Sequence, residues 1–209
     1  NAQSVYIDPW TYTFSNIEYV LVKNYVEGVR LSQISFSNGV VDFTPASSPR
    51  IDLGNSLYSG ISFNDGANTE AKALQSISIS NSSGTCKKFN LSYSYFSDNS
   101  SSLPGNLNVQ TINTDRYRLK LESIQEKSCD ETLEIKPYIF EYYGNFLPRR
   151  LSFAQDHWGF YNGEVNNNTL IPTYSINNFY FKHGANRDSK WPEMLSGSLT
   201  KITYPTGGN

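Results

Sequence analysis

The chain has few charged residues and no clustered positive charge. Only 17% of its 209 residues are charged, and the formal net charge is -2. Because polyanions are bound by clustered Lys and Arg side chains, we expect no nucleic-acid partner. No apolar run approaches the roughly 18 residues that a membrane-spanning helix requires, so no transmembrane segment is predicted. The start at Asn1 lacks a basic-then-apolar signal, which is typical of a processed piece.

Motifs of common catalytic and cofactor sites are also missing. The sequence has no Gly-x-Ser-x-Gly elbow, no Gly-rich phosphate loop and no Cys-x-x-Cys pair. Its two histidines, His157 and His183, do not form a zinc-ligand spacing. The stretch 64–68 carries oxygen ligands, but no glutamate closes it at the distance of an EF-hand loop. We therefore predict no metal, no cofactor and no catalytic activity for this segment.

Aromatic residues, by contrast, are abundant. There are 15 Tyr, 12 Phe and 3 Trp beside a single Met, which favours strands joined by polar turns. Gly and Pro divide the chain into short pieces and leave room for at most one or two short helices, with candidates at 69–73 and 188–195. The apolar stretch 16–24 is predicted to be a strand from its Tyr and Val content.

An internal repeat, Leu-x-x-Ile-x-apolar, is the most informative pattern. It begins at Leu31, Leu74 and Leu199, and a weaker copy begins at Leu121. From each Ile onward the residues alternate, so the apolar side chains share one face of a half-buried strand. Leu and Ile side chains facing solvent would contradict this interpretation.

A turn and a second alternating strand follow most copies of the repeat. The first copy leads to the pair Asn38-Gly39, a signal for a two-residue hairpin whose central residues have positive φ. The last copy reaches only the turn at 205–208, so the edge of this C-terminal strand is predicted to be completed by a protein partner or by the remainder of its own polypeptide.

The sequence thus predicts an all-β fold of stacked antiparallel β-hairpins, arranged as a meander or a β-sandwich. We expect a single β-rich domain over 1–209, with a possible sub-boundary near 97–108. The Asn/Ser-rich stretches 97–108 and 162–169 are predicted to be exposed loops.

The two cysteines, Cys86 and Cys129, both lie in polar stretches near predicted hairpin tips. They are candidates for a disulfide formed in an oxidising compartment, and two buried free thiols are the alternative.

Asp156-His157-Trp158 is the most enzyme-like string, since a His beside a carboxylate is a common general base. Neighbouring strand residues point to opposite faces, however, and no third partner is evident. We favour a structural role in which Asp156 caps a turn, Trp158 fills the core and Gly159 allows a bend. A glycosidase pair of Glu164 with Glu141 or Asp156 has no further support.

Tryptophans and one arginine are the binding candidates. Trp10, Trp158 and Trp191 could stack on the apolar faces of sugars, although strands bury most aromatics. Arg149, Arg150 and Arg187 could pair with carboxylates such as Asp156 or Asp188 across a buried junction. Arg187 is the leading candidate, since its planar fork makes bidentate contacts, and a solvated loop arginine is the alternative.

Three stretches resemble a known family: 150–163, 184–187 and 199–208. They are similar to the segment that precedes the first repeats of large RHS/YD-repeat proteins exported by Gram-negative bacteria. The stretches 93–96 and 138–142 add a weaker likeness. The resemblance implies a stack of hairpins that forms a shell or plug, in a protein whose active part lies elsewhere.

The leading hypothesis is therefore a non-catalytic scaffold or binding segment of a secreted or cell-surface RHS-type protein. One alternative is a carbohydrate-binding module or glycan-active β-sandwich, for which a glycan would be the partner. The other is an accessory subunit of an envelope export machine.

Overall fold

The computed structural model describes residues 2–7, 14–20, 24, 26–54, 68–97, 114–144, 147–176, 179–181 and 184–208. These parts contain strands β1 (Ala2–Ile7), β2 (Phe14–Val20), β3 (Gln33–Phe36), β4 (Gly39–Pro49), β5 (Lys72–Asn81), β6 (Cys86–Ser97), β7 (Tyr117–Ser128), β8 (Tyr138–Tyr142), β9 (Tyr174–Ile176), β10 (Phe179–Phe181) and β11 (Leu199–Thr203). The helical elements are α1 (Trp191–Met194) and the 3-10 turns Ile51–Leu53 and Thr114–Arg116. The predicted all-β class is confirmed.

A single seven-stranded sheet dominates the fold. Its strand order is β11-β8-β7-β6-β5-β4-β3, and every neighbouring pair is antiparallel. From β3 to β8 the neighbours in space are also neighbours in sequence, so the sheet is a meander of hairpins, as the repeat predicts. The pairs β1-β2 and β9-β10 form two separate hairpins.

The two helix predictions have different outcomes. The stretch 188–195 does contain the short helix α1, with Gly197 at φ 78° just beyond its end. The prediction for 69–73 is wrong, because β5 already begins at Lys72 and pairs with both β4 and β6. Strand β2 covers part of the predicted strand 16–24, and residues 21–23 lie outside the described ranges.

The first hairpin turns one residue earlier than predicted. Phe36 pairs with Gly39, so the two loop residues are Ser37 and Asn38, and neither has positive φ. A Cβ atom at Gly39 would lie 2.3 Å from the carbonyl oxygen of Ser80 on β5. The glycine is therefore required by the close approach of the next strand rather than by the turn.

One face of the large sheet is mainly apolar, apart from the ion pair of Lys87 with Glu126, and the other face is polar. The register places apolar side chains in cross-strand rows, namely Ile34-Val41-Ile79, Phe43-Ile77-Phe89 and Leu91-Ile124-Tyr138. We call the surface formed by these rows and Phe36 the apolar face. The alternate positions carry polar residues, including Gln33, Ser35, Asp42, Ser76, Ser78, Lys88, Asn90 and Ser92.

The apolar face is only partly buried. Its central members such as Ile77 are half-buried, but Ile34 is 45% exposed, Phe36 51% and Ile79 40%. The predicted half-burial of the repeats is therefore wrong for the first copy, and also for Leu199 in the last, at 48% exposed. Both copies lie on edge strands, which have one neighbour instead of two.

Complete burial is concentrated elsewhere, in the irregular part of the chain between Arg149 and Ala185. Among the described residues the fully buried apolar side chains are Phe96, Phe153, Ala154 and Ala185, and none belongs to the apolar rows. The predicted loop at 162–169 is irregular and exposes Asn166 and Asn168, but Asn162 and Thr169 at its ends are 0% and 1% exposed, so the prediction of exposure is wrong for the two ends. Of the other predicted loop, residues beyond Ser97 lie outside the described ranges.

In the described ranges, no helix has the length and apolar character needed to cross a membrane.

Candidate functional site

The candidate site is built on the buried carboxylate of Asp156, which is 1% exposed. Its Oδ1 accepts hydrogen bonds from the backbone amides of Trp158 (2.9 Å) and Phe160 (3.0 Å). Its Oδ2 accepts a 2.6 Å hydrogen bond from the hydroxyl of Ser189. Gly159 completes the turn at φ 92°, a conformation that favours glycine. The predicted roles of Asp156 as a cap and of Gly159 as a bend are confirmed.

These hydrogen bonds decide the charge state of the site. Burial alone would raise the pKa of Asp156, but the bonds from the Ser189 hydroxyl and from the Phe160 and Trp158 amides hold that pKa below its ordinary value. The side chain is therefore an anion at neutral pH. A general acid needs the opposite shift, so this environment suits a fixed anchor better than a proton donor.

The aromatic side chains of the Asp156 turn point outward. Trp158 is 83% exposed and Phe160 53%, and His157 is also exposed. The prediction that Trp158 fills the core is wrong. The physical reason is that the turn directs its amides inward to the carboxylate, which leaves the side chains of the capped residues outside.

Trp191, the first residue of α1, is a second exposed tryptophan, at 69%. The residues just before it are fixed to the same region. Ser189 donates to Asp156, and the Lys190 ammonium forms an ion pair with Glu164. Both tryptophans therefore stand within two residues of the Asp156–Ser189 hydrogen bond, on backbone that side-chain hydrogen bonds hold in place.

Arg187 holds the same region together from inside. Its Nε donates to the carbonyl oxygen of Asp156 at 3.2 Å, and its Nη1 donates to that of Leu170 at 2.8 Å. The structure thus brings Arg187 and Asp156 together, but through a backbone carbonyl and not through the carboxylate that the sequence suggested. In this geometry the guanidinium is a cross-link between three chain segments.

Two asparagines that were not singled out in the sequence extend this cross-linking. The side-chain amide of Asn162 donates to the carbonyl oxygens of Asn186 (3.0 Å) and Asp188 (3.2 Å). The amide of Asn167 donates to those of Phe153 (3.1 Å) and Asn186 (2.8 Å). We call the set Ser152, Asp156, Asn162, Asn167, Thr169 and Arg187 the polar hub. Asn167 and Arg187 are half-buried and the other four are buried. The only sequence signal of the hub is the density of Asn in an otherwise turn-like stretch.

The other carboxylates considered from sequence have cationic or amide partners. Glu164 accepts hydrogen bonds from Lys190 and, at 3.0 Å, from the amide of Asn186. Glu141 lies 3.0 Å from the ammonium of Lys201, across strands β8 and β11. The described part of the chain contains no group of three or more His, Cys, Asp or Glu side chains placed to hold a metal ion. Trp10 and His183 lie outside the described ranges.

Two buried carboxylates on the 3-10 turns form a second cluster. The sequence suggested that Arg149 and Arg150 pair with carboxylates across a buried junction, but it did not identify these partners, Asp115 and Asp52. Asp115 (2% exposed) pairs with Arg149 (4% exposed) through two hydrogen bonds, of 2.7 and 3.2 Å. Asp52 (2% exposed) pairs with Arg50, also through two hydrogen bonds, of 2.7 and 3.0 Å. The amide of Leu119 donates to Asp52 as well, at 3.2 Å. These pairs fasten the start of β7 to the segment that leads into the polar hub.

A half-buried cation, Arg118, completes this cluster. Arg118 donates to the carbonyl oxygens of Asp115 (2.8 Å), Tyr117 (2.9 Å) and Pro148 (3.3 Å). Burial lowers the pKa of Arg118 to about 10, so the guanidinium remains charged at neutral pH. These hydrogen bonds join separate segments of the chain to one another, so the cluster stabilises the fold.

The structure joins Cys86 and Cys129 in a disulfide, with their Cα atoms 5.6 Å apart. It links the start of β6 to the end of β7, two strands that pair along their whole length. Of the two states considered from sequence, the structure has the bonded one.

Two open grooves of about 600 Å³ each lie on the large sheet. One is lined by Leu31, Phe43, Pro45, Lys72, Ala73 and Leu74, and the other by polar residues that include Ser76, Ser78, Lys88, Asn90 and Ser92. Neither groove includes Trp158, Trp191 or Arg187. The exposed tryptophans therefore form a surface feature, distinct from these grooves.

Comparisons of this chain with family models, with curated proteins and with solved structures gave no match.

Proposed function

We propose that this chain is a non-catalytic scaffold or binding segment of a secreted or surface-associated RHS/YD-repeat protein, to whose shell or docking surface it contributes β-hairpins. The observation that carries the proposal is the single-layer meander of seven strands whose apolar face stays partly exposed. Contiguous exposed apolar surface of this kind marks sites where another protein surface packs.

The energetic argument follows from the size of the uncovered side chains. Covering apolar surface stabilises by about 25 cal/mol per Å². Ile34, Phe36 and Ile79 retain 40% or more of their accessible surface, which leaves this stabilisation available to a partner. A hairpin stack in a shell supplies such a partner, because each unit covers its neighbour.

The disulfide and the edge strands are consistent with the same role. Disulfides persist in oxidising compartments, which agrees with a secreted or surface location. Strand β11 pairs only with β8 among the described strands, so its outer edge is open to the protein partner or later segment that the sequence predicts.

The test of this proposal is the coding sequence that follows the codon for Asn209. We expect it to continue in frame into further strands of the Leu-x-x-Ile type, each followed by a hairpin turn. An immediate stop codon, or an unrelated domain, would contradict the scaffold function.

Glycan binding is the second candidate, and the exposure of Trp158 and Trp191 is the observation that favours it. Flat indole rings held on an anchored turn are suited to stack on the apolar faces of sugars. On a glycan array, a carbohydrate-binding protein would give hits that Trp158→Ala and Trp191→Ala abolish, whereas Phe36→Ala, at an exposed aromatic residue of the large sheet, should leave the hits unchanged. An array without hits eliminates this candidate.

A further inference from the structure

The two edges of the large sheet differ in how they are protected. Edge strand β11 carries Lys201, paired with Glu141 at 3.0 Å, and its register shifts between Leu199 and Lys201. A lysine and a bulge are two devices by which edge strands resist pairing with other chains.

Edge strand β3 has neither device. Its sequence is Gln-Ile-Ser-Phe, without charge or proline, and its pairing with β4 from Gln33 to Phe36 is regular. All four residues are exposed, and no other described strand pairs with β3 on its outer side. A regular, uncharged edge with apolar residues on one face is a template for strand addition.

We infer that β3 is a docking edge and that its occupant is the β3 strand of a second copy of this chain, paired antiparallel about Ser35. This inference deepens the docking part of the proposed function. It also assigns docking to the edge opposite the C-terminal strand β11.

The sequence of β3 is complementary to itself in this register. With Ser35 opposite Ser35 of the second copy, each Ile34 lies opposite the other copy's Phe36. Aromatic residues opposite β-branched residues are among the favourable cross-strand pairs. The arrangement has a two-fold axis and is closed, so it produces a dimer and not a fibre.

The polar side of β3 does not oppose this pairing. Gln33 donates from its side-chain amide to Asp42 at 2.6 Å, and Ser35 donates to the Gln33 side-chain oxygen at 3.2 Å. These groups are satisfied within one chain, and β3 itself brings no charge to the two-fold axis. Joining two copies would also extend the row Ile34-Val41-Ile79 across the axis, so the two apolar faces become one surface.

Charge substitution at Ser35 tests the register directly. In sedimentation velocity over a concentration series, the wild-type chain is expected to show a monomer–dimer equilibrium. Ser35→Lys and Ser35→Glu each place like charges opposite one another, so each variant alone is expected to be monomeric. An equimolar mixture places opposite charges there and is expected to restore the dimer.

A matched variant on the other edge is the control. Thr200→Lys adds the same charge to an exposed position of β11 and is expected to leave the dimer intact. A wild-type chain that stays monomeric at its highest soluble concentration overturns the inference, and so does a mixture of the two Ser35 variants that fails to dimerise. Dissociation by Thr200→Lys would assign docking to β11. The coding-sequence test of the proposed function is independent of each of these outcomes.

Discussion

The seven-stranded sheet and the polar hub are two regions with opposite construction. From β3 to β8 the strands of the sheet pair with neighbours in sequence, and the apolar face of the sheet remains partly exposed. The polar hub lies in irregular backbone and contains Asp156, Asn162 and Thr169 at 1% exposure or less. Apolar side chains are thus left open where the structure is most regular, while polar side chains are buried where it is least regular.

We assign different roles to the two regions: the polar hub stabilises the fold, and the sheet is the proposed docking surface. Burial of polar groups is tolerated when each is hydrogen-bonded. The hub satisfies its groups with backbone amides of the local turn and with carbonyl oxygens from distant segments. The sheet is held instead by its strand ladders, by cross-strand ion pairs such as Lys87–Glu126 and by the disulfide between Cys86 and Cys129. We propose that the sheet presents the docking surface, while the hub with its neighbouring ion pairs fixes the segments around it.

Breaking the buried ion pair next to the hub has the largest expected effect. Asp115→Ala leaves the buried Arg149 guanidinium without its carboxylate, and we expect a loss of about 3–5 kcal/mol in the free energy of unfolding. Urea unfolding followed by circular dichroism measures the loss. The double variant Asp115→Leu/Arg149→Met removes both charges and should be more stable than Asp115→Ala. Equal losses in the two variants would show that leaving the Arg149 charge without Asp115 is not the cause.

The disulfide tests how far the sheet depends on a covalent link. Cys86→Ser/Cys129→Ser opens a link of sequence separation 43, and we expect it to cost about 2–4 kcal/mol of unfolding free energy. Wild-type chain treated with a reductant should show the same loss in urea unfolding. Reduction without any change in stability would contradict the bonded state.

Asp156 gives the hub a pH dependence of its own. Its folded-state pKa is lowered, so its stabilising contribution is complete above the unfolded-state pKa of about 3.9 and disappears as the pH falls through the folded value. Asp156→Asn is expected to lose about 1–3 kcal/mol at pH 7.

Urea unfolding at a series of pH values measures this effect. Between neutral pH and about pH 3, Asp156→Asn should lose less stability than the wild type. The reason is that Asn does not titrate, whereas protonation of Asp156, whose pKa is lowered by folding, destabilises the wild type. Parallel pH profiles for the two proteins would show that Asp156 does not carry the dependence.

The smallest effect is expected on the apolar face. Ile79→Thr keeps a β-branched side chain at a position that is 40% exposed, so we expect a change within about 0.5 kcal/mol. Ile77→Thr on the same strand and face is the matched control and should cost more, because Ile77 is half-buried. Equal costs in urea unfolding would indicate that the face is covered.

The sequence predicts the sheet well because its signals are local. The alternation after Leu74 and Leu121 identifies β5 and β7, since a strand in a meander is specified by its own residues and the next turn. The exposure of Ile34 and Phe36 is not predictable in this way. Period-two alternation shows which residues share a face, and whether anything covers that face depends on the rest of the chain.

The polar hub shows where such reasoning fails. A dense run of polar residues at 162–169 has the composition of an exposed loop, yet its buried asparagine, Asn162, donates to carbonyls 24 and 26 residues away. The capping role of Asp156 is predictable because the amides it accepts lie two and four residues on. The outward direction of Trp158 depends on the same turn. The prediction that Trp158 is buried was wrong because it was based on the general tendency of aromatic side chains to be buried.

Hydroxyl-radical footprinting with mass spectrometry tests most directly whether the apolar face is open. Phe36 on this face and Phe153 beside the hub are the same residue type, at 51% and 2% exposure. In a dilute sample of the isolated chain, we predict rapid oxidation of Phe36 and strong protection of Phe153. Equal protection of the two phenylalanines would show that the face is already covered and would contradict the docking function proposed for the sheet.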